Sequence, residues 1–403
     1  MNDQKMSQRR KISVLWVTPL VLDTELHRSA RLQIVEQFIS MGDRIALIAM
    51  RSKQKPIYRR LKVLAVPLRY VPVIQPIMFG VVLAFLLPFY SLLWKTDYIV
   101  FTQPDVSVLG TIPAVLLSKL KRVKCVLDIR STPVEIKGIR GALQSFFFSV
   151  SVFVAKTFFD GMTIITRKMK NQVCARYRID PKFVGVWTSG VSVSLNDPRR
   201  YLNEKIELKN KLNLTGKFVV FYHGTFSANR GLIELVKAMA ILKPSHPDIA
   251  VFLLGAGPSL PQLEDAIEKE DLKCNVIIHR PVEYWEVPRF IAMCDVAISP
   301  LPDHPYWRFQ CPLKLLEYMA MEKTITLTDI PAHREVVGQA SCGIYLRTTN
   351  PVEIARAMTY AYANRAKLDE WGKTGRKIVE EKYTWEKVAE DLRAYLISLQ
   401  VKH

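Results

Sequence analysis

The chain has 403 residues, which is more than one hydrophobic core usually supports, so we expect two domains. Hydrophobic residues make up 49% of the chain and charged residues 23%, which excludes a disordered protein, a collagen-like repeat and a coiled coil. The six cysteines include no C-x-x-C pair. A disulfide framework or a structural zinc site is therefore not expected, and a reducing cytosol fits best.

The formal net charge of +20 is distributed unevenly. Residues 1–200 contain 31 Lys and Arg against 12 Asp and Glu, whereas residues 201–403 contain 26 against 25. A half with so large a positive excess attracts a polyanion: an anionic membrane surface, a nucleic acid or an acidic substrate. We favour the membrane over a nucleic acid, because the basic residues are spread among apolar helices and no nucleic-acid motif is present.

The first half alternates apolar strands with helical patterns, which predicts a parallel sheet covered by helices. The apolar run that follows Arg9-Arg10-Lys11 resembles a signal peptide, but no small-residue cleavage site follows it, so we predict a first strand instead. Predicted helices include Ser29–Ser40 and Thr111–Leu120. The predicted strands are Ile12–Val17, Arg44–Ala49, Tyr98–Phe101, Val123–Asp128, Gly161–Ile165 and Val184–Val186.

Two uncharged apolar stretches, Tyr70–Trp94 and Ala142–Ala155, bear on the membrane question. The first is long enough to cross a bilayer, which takes about 20 residues, but strands are predicted on both sides of it. If those strands share one sheet, a single crossing is excluded. We therefore favour a helix or hairpin that enters one leaflet over a full span or a buried core helix. Basic residues around the first stretch suit an anionic surface: Arg59, Arg60, Lys62, Arg69 and Lys95.

A turn-rich segment, Trp187–Arg200, predicts a linker between two domains. We expect an N-terminal, membrane-facing domain over residues 1–198 and a C-terminal ligand-binding domain over residues 199–383. The last segment, 384–403, contains a helix that could pack back on the N-terminal domain. Strands of the second domain are predicted at Lys217–Tyr222, Ile249–Leu254, Asn275–Ile278, Val296–Ser299, Thr324–Thr328 and Gly343–Tyr345.

Two glycine-containing segments follow strands of the second domain. After the strand that ends in Phe221-Tyr-His, Gly224 and Thr225 lead through a short loop to Arg230 at a helix start. Glycine, free helix N–H groups and an arginine together suit a diphosphate, although a plain tight turn has the same appearance. Gly255 and Gly257 end the next strand and form either a second wall of that pocket or an ordinary strand-to-helix turn.

A third segment, Cys311-Pro-Leu-Lys-Leu-Leu-Glu-Tyr-Met-Ala, carries the most specific pattern. Pro312 and Leu313 open a helix on which Lys314 and Glu317 share one face. The carboxylate can accept ribose hydroxyls and the lysine can reach a phosphate. The alternative is an exposed ion pair between the two side chains.

Together these segments resemble glycosyltransferase family 4, whose members have the GT-B fold. The likeness is specific over Lys217–Leu392 and loose over the first half, where Thr188-Ser-Gly-Val resembles the family's Asn-Gly-Val. The motifs that carry it are Tyr222-His-Gly with Arg230-Gly231, Leu254-Gly-Ala-Gly-Pro, Cys294-Asp-Val-Ala-Ile-Ser-Pro, Pro312-Leu-Lys-Leu-Leu-Glu-Tyr-Met-Ala and Tyr383-Thr-Trp.

The resemblance implies an α/β protein with two Rossmann-like parallel-sheet domains that face each other across a cleft. It implies that a nucleotide sugar binds the C-terminal domain and is transferred with retention of configuration, without a metal or other cofactor. Glu317 is expected to hold the donor ribose and Arg230 the diphosphate, and these two residues with Lys314 are the expected catalytic residues. The full expected donor set is Gly224, Thr225, Arg230, Gly255, Gly257, Gln310, Pro312, Leu313, Lys314 and Glu317.

The chain departs from the family at two positions. Phe309 stands where the family has the first glutamate of its E-x7-E motif, so the donor sugar must find other partners among Asp303, His304 and Gln310. Thr225 stands where the family has an arginine, and Lys314 can compensate for that missing cation. On the acceptor side, Asp128 and Arg130 end a predicted strand, where a structural ion pair is the alternative, and His27 follows the first strand.

The sequence thus predicts a glycosyltransferase acting on a lipid-linked or polysaccharide acceptor, peripheral on the cytoplasmic face of the membrane. Two alternatives stay open. One is a nucleotide-sugar 2-epimerase of GT-B architecture, and the other is a non-catalytic, membrane-associated protein that binds nucleotide sugars.

Overall fold

The computed structural model of the protein describes residues 10–21, 28–50, 62–66, 74–102, 105–133 and 138–401. His27, Arg59, Arg60 and Arg69, which the sequence analysis singled out, lie outside these residues. The chain forms two units. The first unit comprises the described residues up to Thr188 and those from Trp385 onward. The second unit comprises Ser189–Thr384.

The first unit contains a parallel sheet of seven described strands in the order β3-β2-β1-β4-β5-β6-β7. Its central strands β4 and β5 are buried along their whole length, as expected for a sheet covered on both faces. The strands are β1 Ser13–Val21, β2 Arg44–Met50, β3 Lys62–Val66, β4 Tyr98–Thr102, β5 Lys124–Ile129, β6 Gly161–Ile164 and β7 Val184–Val186.

Six described α-helices belong to this unit: α1 Arg28–Ser40, α2 Ile74–Leu93, α3 Ile112–Lys121, α4 Gly138–Phe158, α5 Arg167–Tyr177 and the C-terminal α14 Trp385–Val401. Helices α2 and α4 are long and apolar enough to cross a membrane by length and composition alone, which by itself is weak evidence. The stretch predicted as a helix or hairpin is therefore one helix, α2. Strand β3 precedes it and β4 follows it in the same sheet.

The second unit contains a parallel sheet of six strands in the order β10-β9-β8-β11-β12-β13, so two parallel α/β sheets are confirmed. The strands are β8 Phe218–Thr225, β9 Ile249–Ala256, β10 Val276–His279, β11 Val296–Ser299, β12 Ile325–Thr328 and β13 Gly343–Leu346. The helices are α6 Leu202–Lys211, α7 Leu232–Leu242, α8 Leu260–Lys269, α9 Val287–Met293, α10 Leu313–Ala320, α11 Pro331–Val337, α12 Pro351–Ala363 and α13 Leu368–Lys382.

The boundary between the units falls after Thr188, before the end of the predicted first domain at residue 198. The reason is that the intervening segment is bonded to the second unit. Val191 forms a parallel bridge with Thr384, and the Asn196 carbonyl accepts a hydrogen bond from Arg376 at 3.0 Å. Residues 189–198 are therefore the first part of the second unit.

Helix α14 is held in the first unit by a buried ion pair. Arg393 donates from Nε to Asp43 Oδ2 at 2.7 Å and from a terminal nitrogen to Oδ1 at 3.1 Å. The Asp43 side chain has no solvent exposure, and its Oδ1 also accepts the Ile12 backbone N–H at 3.0 Å. One carboxylate thus joins the C-terminal helix to the start of β1.

We expect Arg393→Ala to lower the free energy of unfolding by about 3 kcal/mol, because it leaves the buried Asp43 charge without its partner. Urea denaturation measures this loss. The control is Arg356→Ala, which removes a pair with Glu353 in which the arginine is 62% exposed, and which should cost less than about 0.5 kcal/mol. Equal losses in the two variants would contradict the role given to the buried pair.

Candidate functional site

The candidate site lies at one edge of the second sheet. From β8 the chain adds β9 and β10 on one side and then returns to place β11 on the other side of β8. Open parallel sheets bind ligands at the carboxyl ends of the strands beside such a reversal. Gly224 and Thr225 end β8, and the loop after β11 leads toward α10.

Glycines bring the backbone of β8 and β9 close to other groups at this edge. Gly224 has a φ of +125°, which side-chain-bearing residues rarely adopt, and a Cβ there would lie 3.2 Å from Lys314 Nζ. A Cβ on Gly255 would lie 2.0 Å from the Gly224 carbonyl oxygen, and one on Gly257 would lie 2.2 Å from that of Phe226. The two predicted glycine segments therefore pack directly against each other.

Lys314, in the first turn of α10, is the central cation of the site. Its side chain is buried beneath β8, with Nζ 3.7 Å from the ring centroid of Tyr222. Nζ has no hydrogen-bond partner among the described residues. Burial, and then the nearby charge of Arg230, lower the pKa of Lys314 well below its usual value. A buried ammonium without an acceptor is unfavourable, and a bound anion would remove that cost.

Arg230 is the second cation, at the end of a short 3₁₀ turn before α7. Its guanidinium carbon lies 4.3 Å from the ring centroid of Trp307, and its buried Nε has no hydrogen-bond partner among the described residues. Trp307 is itself fixed, because its indole N–H donates to the Asn229 carbonyl at 3.0 Å. The stacked tryptophan, which the sequence did not reveal, therefore orients the arginine and leaves its N–H groups for a ligand.

Glu317 lies one turn after Lys314, and both side chains are buried. The exposed ion pair that was the alternative interpretation is not formed. Glu317 Oε2 instead lies 2.8 Å from His223 Nε2. The lysine is thus left to an external anion and the carboxylate is held by a histidine that the sequence analysis gave no role.

The start of α10 supplies further donors. Pro312 caps the helix without a side-chain bond, so the N–H groups of Leu313 and Lys314 lie at the positive end of the helix dipole. Just before it, Gln310 has a buried Nε2 with no hydrogen-bond partner among the described residues. Asp303, considered as a replacement for the missing glutamate at Phe309, pairs with Arg308 through two hydrogen bonds of 2.6 Å. Gln310 is therefore the better-placed polar group.

A neighbouring histidine adds no charge to this site. His333 is fully buried on α11, and burial lowers its pKa to about 4. One ring nitrogen lies 2.7 Å from the Thr328 carbonyl, which makes Nδ1 the protonated nitrogen of a neutral ring. The positive charge available to a ligand comes from Arg230 and Lys314.

The residues predicted on the acceptor side lie in the first unit, far in sequence from Arg230 and Lys314. Asp128 Oδ1 accepts hydrogen bonds from Thr163 and from the Trp187 indole, both at 2.8 Å, and burial raises its pKa. Arg130 stacks on Trp187 at 3.7 Å and donates to its carbonyl at 2.7 Å. Both side chains brace Trp187, and contact with an acceptor stays a prediction.

Residues 204–378 match the family model described as Glycosyl transferases group 1. The second unit contains a glycosyl transferases group 1 domain. Spore coat protein SA of Bacillus subtilis strain 168 is 25% identical over 219 residues, which are 51% of this chain and 56% of that protein. The chain spans about half or less of the length of the curated relatives it matches.

Solved structures extend the likeness to both units. A glycosyltransferase from Rickettsia africae superposes with a TM-score of 0.77 at 15% identity, over 98% of this chain and 100% of that one. The Anabaena protein HepE, solved with UDP, superposes with a TM-score of 0.74 at 14% identity, over 96% of this chain and 100% of that one. The predicted GT-B fold is therefore confirmed.

Because the pKa of Lys314 is lowered in the protein without ligand, binding of an anion should change the protonation of this side chain. An anion beside Nζ favours its charged form and raises the lowered pKa, so pyrophosphate binding should take up protons. Affinity should fall as the pH rises through the interval between the free and bound pKa values. Calorimetry in buffers of different ionisation enthalpy, repeated at several pH values, measures this uptake.

Lys314→Met is the control, because it keeps the length and burial of the side chain but removes the titrating group. It should bind pyrophosphate more weakly and abolish the uptake. Equal uptake in the variant and the original protein would show that another group titrates.

Proposed function

We propose that the protein is a retaining glycosyltransferase of family 4 that transfers a sugar from a nucleotide-sugar donor to a lipid-linked or polysaccharide acceptor. The observation that carries the proposal is the buried Lys314 Nζ, which lies near Arg230, one helical turn before Glu317, and has no hydrogen-bond partner in the part of the chain that the structure describes. The group 1 domain and the fold shared with UDP-bound HepE support a nucleotide donor.

In this proposal the protein's cations stabilise the leaving group. As the bond between the anomeric carbon and the phosphate oxygen breaks, negative charge grows on the diphosphate and positive charge on the sugar ring. Arg230, Lys314 and the N–H groups at the start of α10 face the growing negative charge. Each well-placed donor of this kind contributes about 3 kcal/mol in comparable sites. These cations can serve in place of a metal ion, and on this ground we propose metal independence.

The acceptor completes the reaction on the same face of the sugar. Its hydroxyl oxygen forms the new bond to the anomeric carbon from the side that the diphosphate leaves, so configuration is retained. The departing phosphate oxygen takes the hydroxyl proton. Glu317 holds the ribose of the donor and takes no part in the proton transfer.

An activity screen separates this proposal from its alternatives. The full-length protein is incubated with a panel of labelled nucleotide sugars, with and without a membrane lipid extract. Nucleotide release that depends on the extract supports a transferase, and an isomerised donor without the extract supports a 2-epimerase. Intact donors in every reaction would contradict both and leave a non-catalytic binding protein.

Glu317→Ala should lower turnover by at least roughly tenfold, the size of one lost charge-assisted hydrogen bond to the donor. Initial rates at donor concentrations well below KM, where weaker binding of the ribose lowers the rate, measure the effect, and circular dichroism checks the fold. The matched control is Glu264→Ala on α8, an exposed glutamate that should leave turnover unchanged. Undiminished turnover in the Glu317 variant would remove the ribose assignment.

We also propose that the first unit binds the cytoplasmic face of the membrane through an apolar surface formed by α2 and α4. The α2 side chains that face away from the sheet form a stripe at helical spacing, in which Val81 is 56%, Phe85 77% and Phe89 56% exposed. On α4, Phe146 is 60% and Phe153 64% exposed. Exposed phenylalanines on two helices suggest contact with an apolar phase.

The charges on this part of the unit complement an anionic lipid surface. Helices α2, α3 and α4 contain no acidic residue, and their four basic residues are Lys119, Lys121, Arg140 and Lys156. The strands on either side of α2 in the chain, β3 and β4, belong to one sheet, so they cannot lie on opposite sides of a bilayer. If the exposed stripe enters only one leaflet, β3 and β4 stay on the same side of the bilayer and the basic residues can contact anionic lipid.

The double variant Phe85→Ser with Phe146→Ser should bind vesicles of mixed zwitterionic and anionic lipid at least tenfold more weakly, since burial of one phenylalanine contributes about 2 kcal/mol. Co-sedimentation measures the partitioning. Leu202→Ser with Ile206→Ser, which changes two side chains 55% and 58% exposed in the second unit, serves as the control. Equal partitioning of the two double variants would contradict the proposed surface.

A further inference from the structure

His223 lies on β8 directly before Gly224, and it contacts the carboxylate assigned to the donor. The distance from its Nε2 to Glu317 Oε2 is 2.8 Å, and the two side chains are only 13% and 9% exposed. The two residues are 94 positions apart in the sequence. Their contact is therefore a product of the fold and not of local chain geometry.

The hydrogen bonds around His223 assign one role to each atom. A carboxylate only accepts, so Nε2 carries the proton and donates to Glu317. In the neutral ring Nδ1 has a lone pair and accepts from the Tyr318 hydroxyl at 3.0 Å, while that hydroxyl accepts the His223 backbone N–H at 3.1 Å. Burial keeps the pKa of Tyr318 well above its usual value, so its hydroxyl retains the proton it donates.

The imidazole ring is also held by its neighbours. It stacks on Phe221 with centroids 5.7 Å apart and meets the Tyr318 ring edge-on at 5.2 Å. With the ring fixed, one oxygen of Glu317 is fixed as well. The other oxygen, Oε1, makes no hydrogen bond to the described residues and is left for a ligand.

We propose that His223 is a positioning residue that orients the Glu317 carboxylate for the ribose hydroxyls of the donor. The inference rests on the proposed function and adds a specificity to it. The protein should discriminate between ribonucleotides and deoxyribonucleotides, and this discrimination should depend on a residue that does not itself touch the substrate.

The test is the ratio of dissociation constants for deoxyribo- and ribonucleoside diphosphates. UDP, GDP and ADP and their 2′-deoxy counterparts are titrated by calorimetry, and the base bound most tightly by the original protein is kept. His223→Leu should lower the ratio by at least roughly fivefold, since the carboxylate loses its fixed orientation. His223→Gln should retain most of the ratio, because its amide can donate near the position of Nε2.

If His223 only stabilised the fold, its substitution would not change the ratio of the dissociation constants for deoxyribo- and ribonucleoside diphosphates. Thermal unfolding shows whether each variant is folded, and Tyr318→Phe, which removes only the hydroxyl that orders Nδ1, provides a second route if His223→Leu is unstable. It should also lower the ratio. An unchanged ratio in the folded variants would overturn this inference alone. Failure of the original protein to bind any of the diphosphates would contradict the proposed function and this inference with it.

Discussion

The site is organised around a buried lysine whose charged form has no hydrogen-bond acceptor in the described part of the chain. Lys314 Nζ lies against the face of Tyr222 and beneath Gly224, with no acceptor among the described residues. Burial and Arg230 both act against its charged form. A buried lysine of this kind lowers the stability of the protein without ligand. It becomes favourable when an anion binds beside it, so it increases affinity for the anion at the expense of stability. This trade is typical of functional sites.

The surrounding residues keep the two cations available. Trp307 orients Arg230 by stacking, so no carboxylate is needed to hold it. Glu317 pairs with His223 and forms no ion pair with Lys314, although its charge acts to raise the pKa of the lysine. A neutral His333 adds no competing charge. The sheet reversal at β8 and β11 brings these side chains to one edge from segments far apart in the chain.

Much of the fold follows from hydrophobic patterning. The strands Val184–Val186 and Val296–Ser299 have the predicted bounds, and most others differ by one to three residues at an end. Strand β3 was missed, since Lys62–Val66 is a five-residue edge strand that follows a basic segment and has little pattern of its own. The predicted domain end at residue 198 was too late, because the bonds that tie residues 189–198 to the second unit come from distant residues.

Local motifs predicted which residues come together at the candidate site but not the side chains that they contact. Lys314 and Glu317 share a helix face that the sequence displays, whereas the contacts of His223 and Trp307 exist only once distant segments meet. The sequence likewise did not reveal that Asp128, near the end of β5, accepts hydrogen bonds from Thr163 and Trp187, and its contact with an acceptor stays a prediction. Spacing therefore identifies candidates, and the environment of each side chain decides its role.

A crystal structure of the protein with a nucleoside diphosphate tests the central claim most directly. The account predicts a phosphate oxygen within about 3 Å of Lys314 Nζ, with Arg230 on the same diphosphate. A diphosphate bound elsewhere, with Lys314 still buried and without an acceptor, would contradict it.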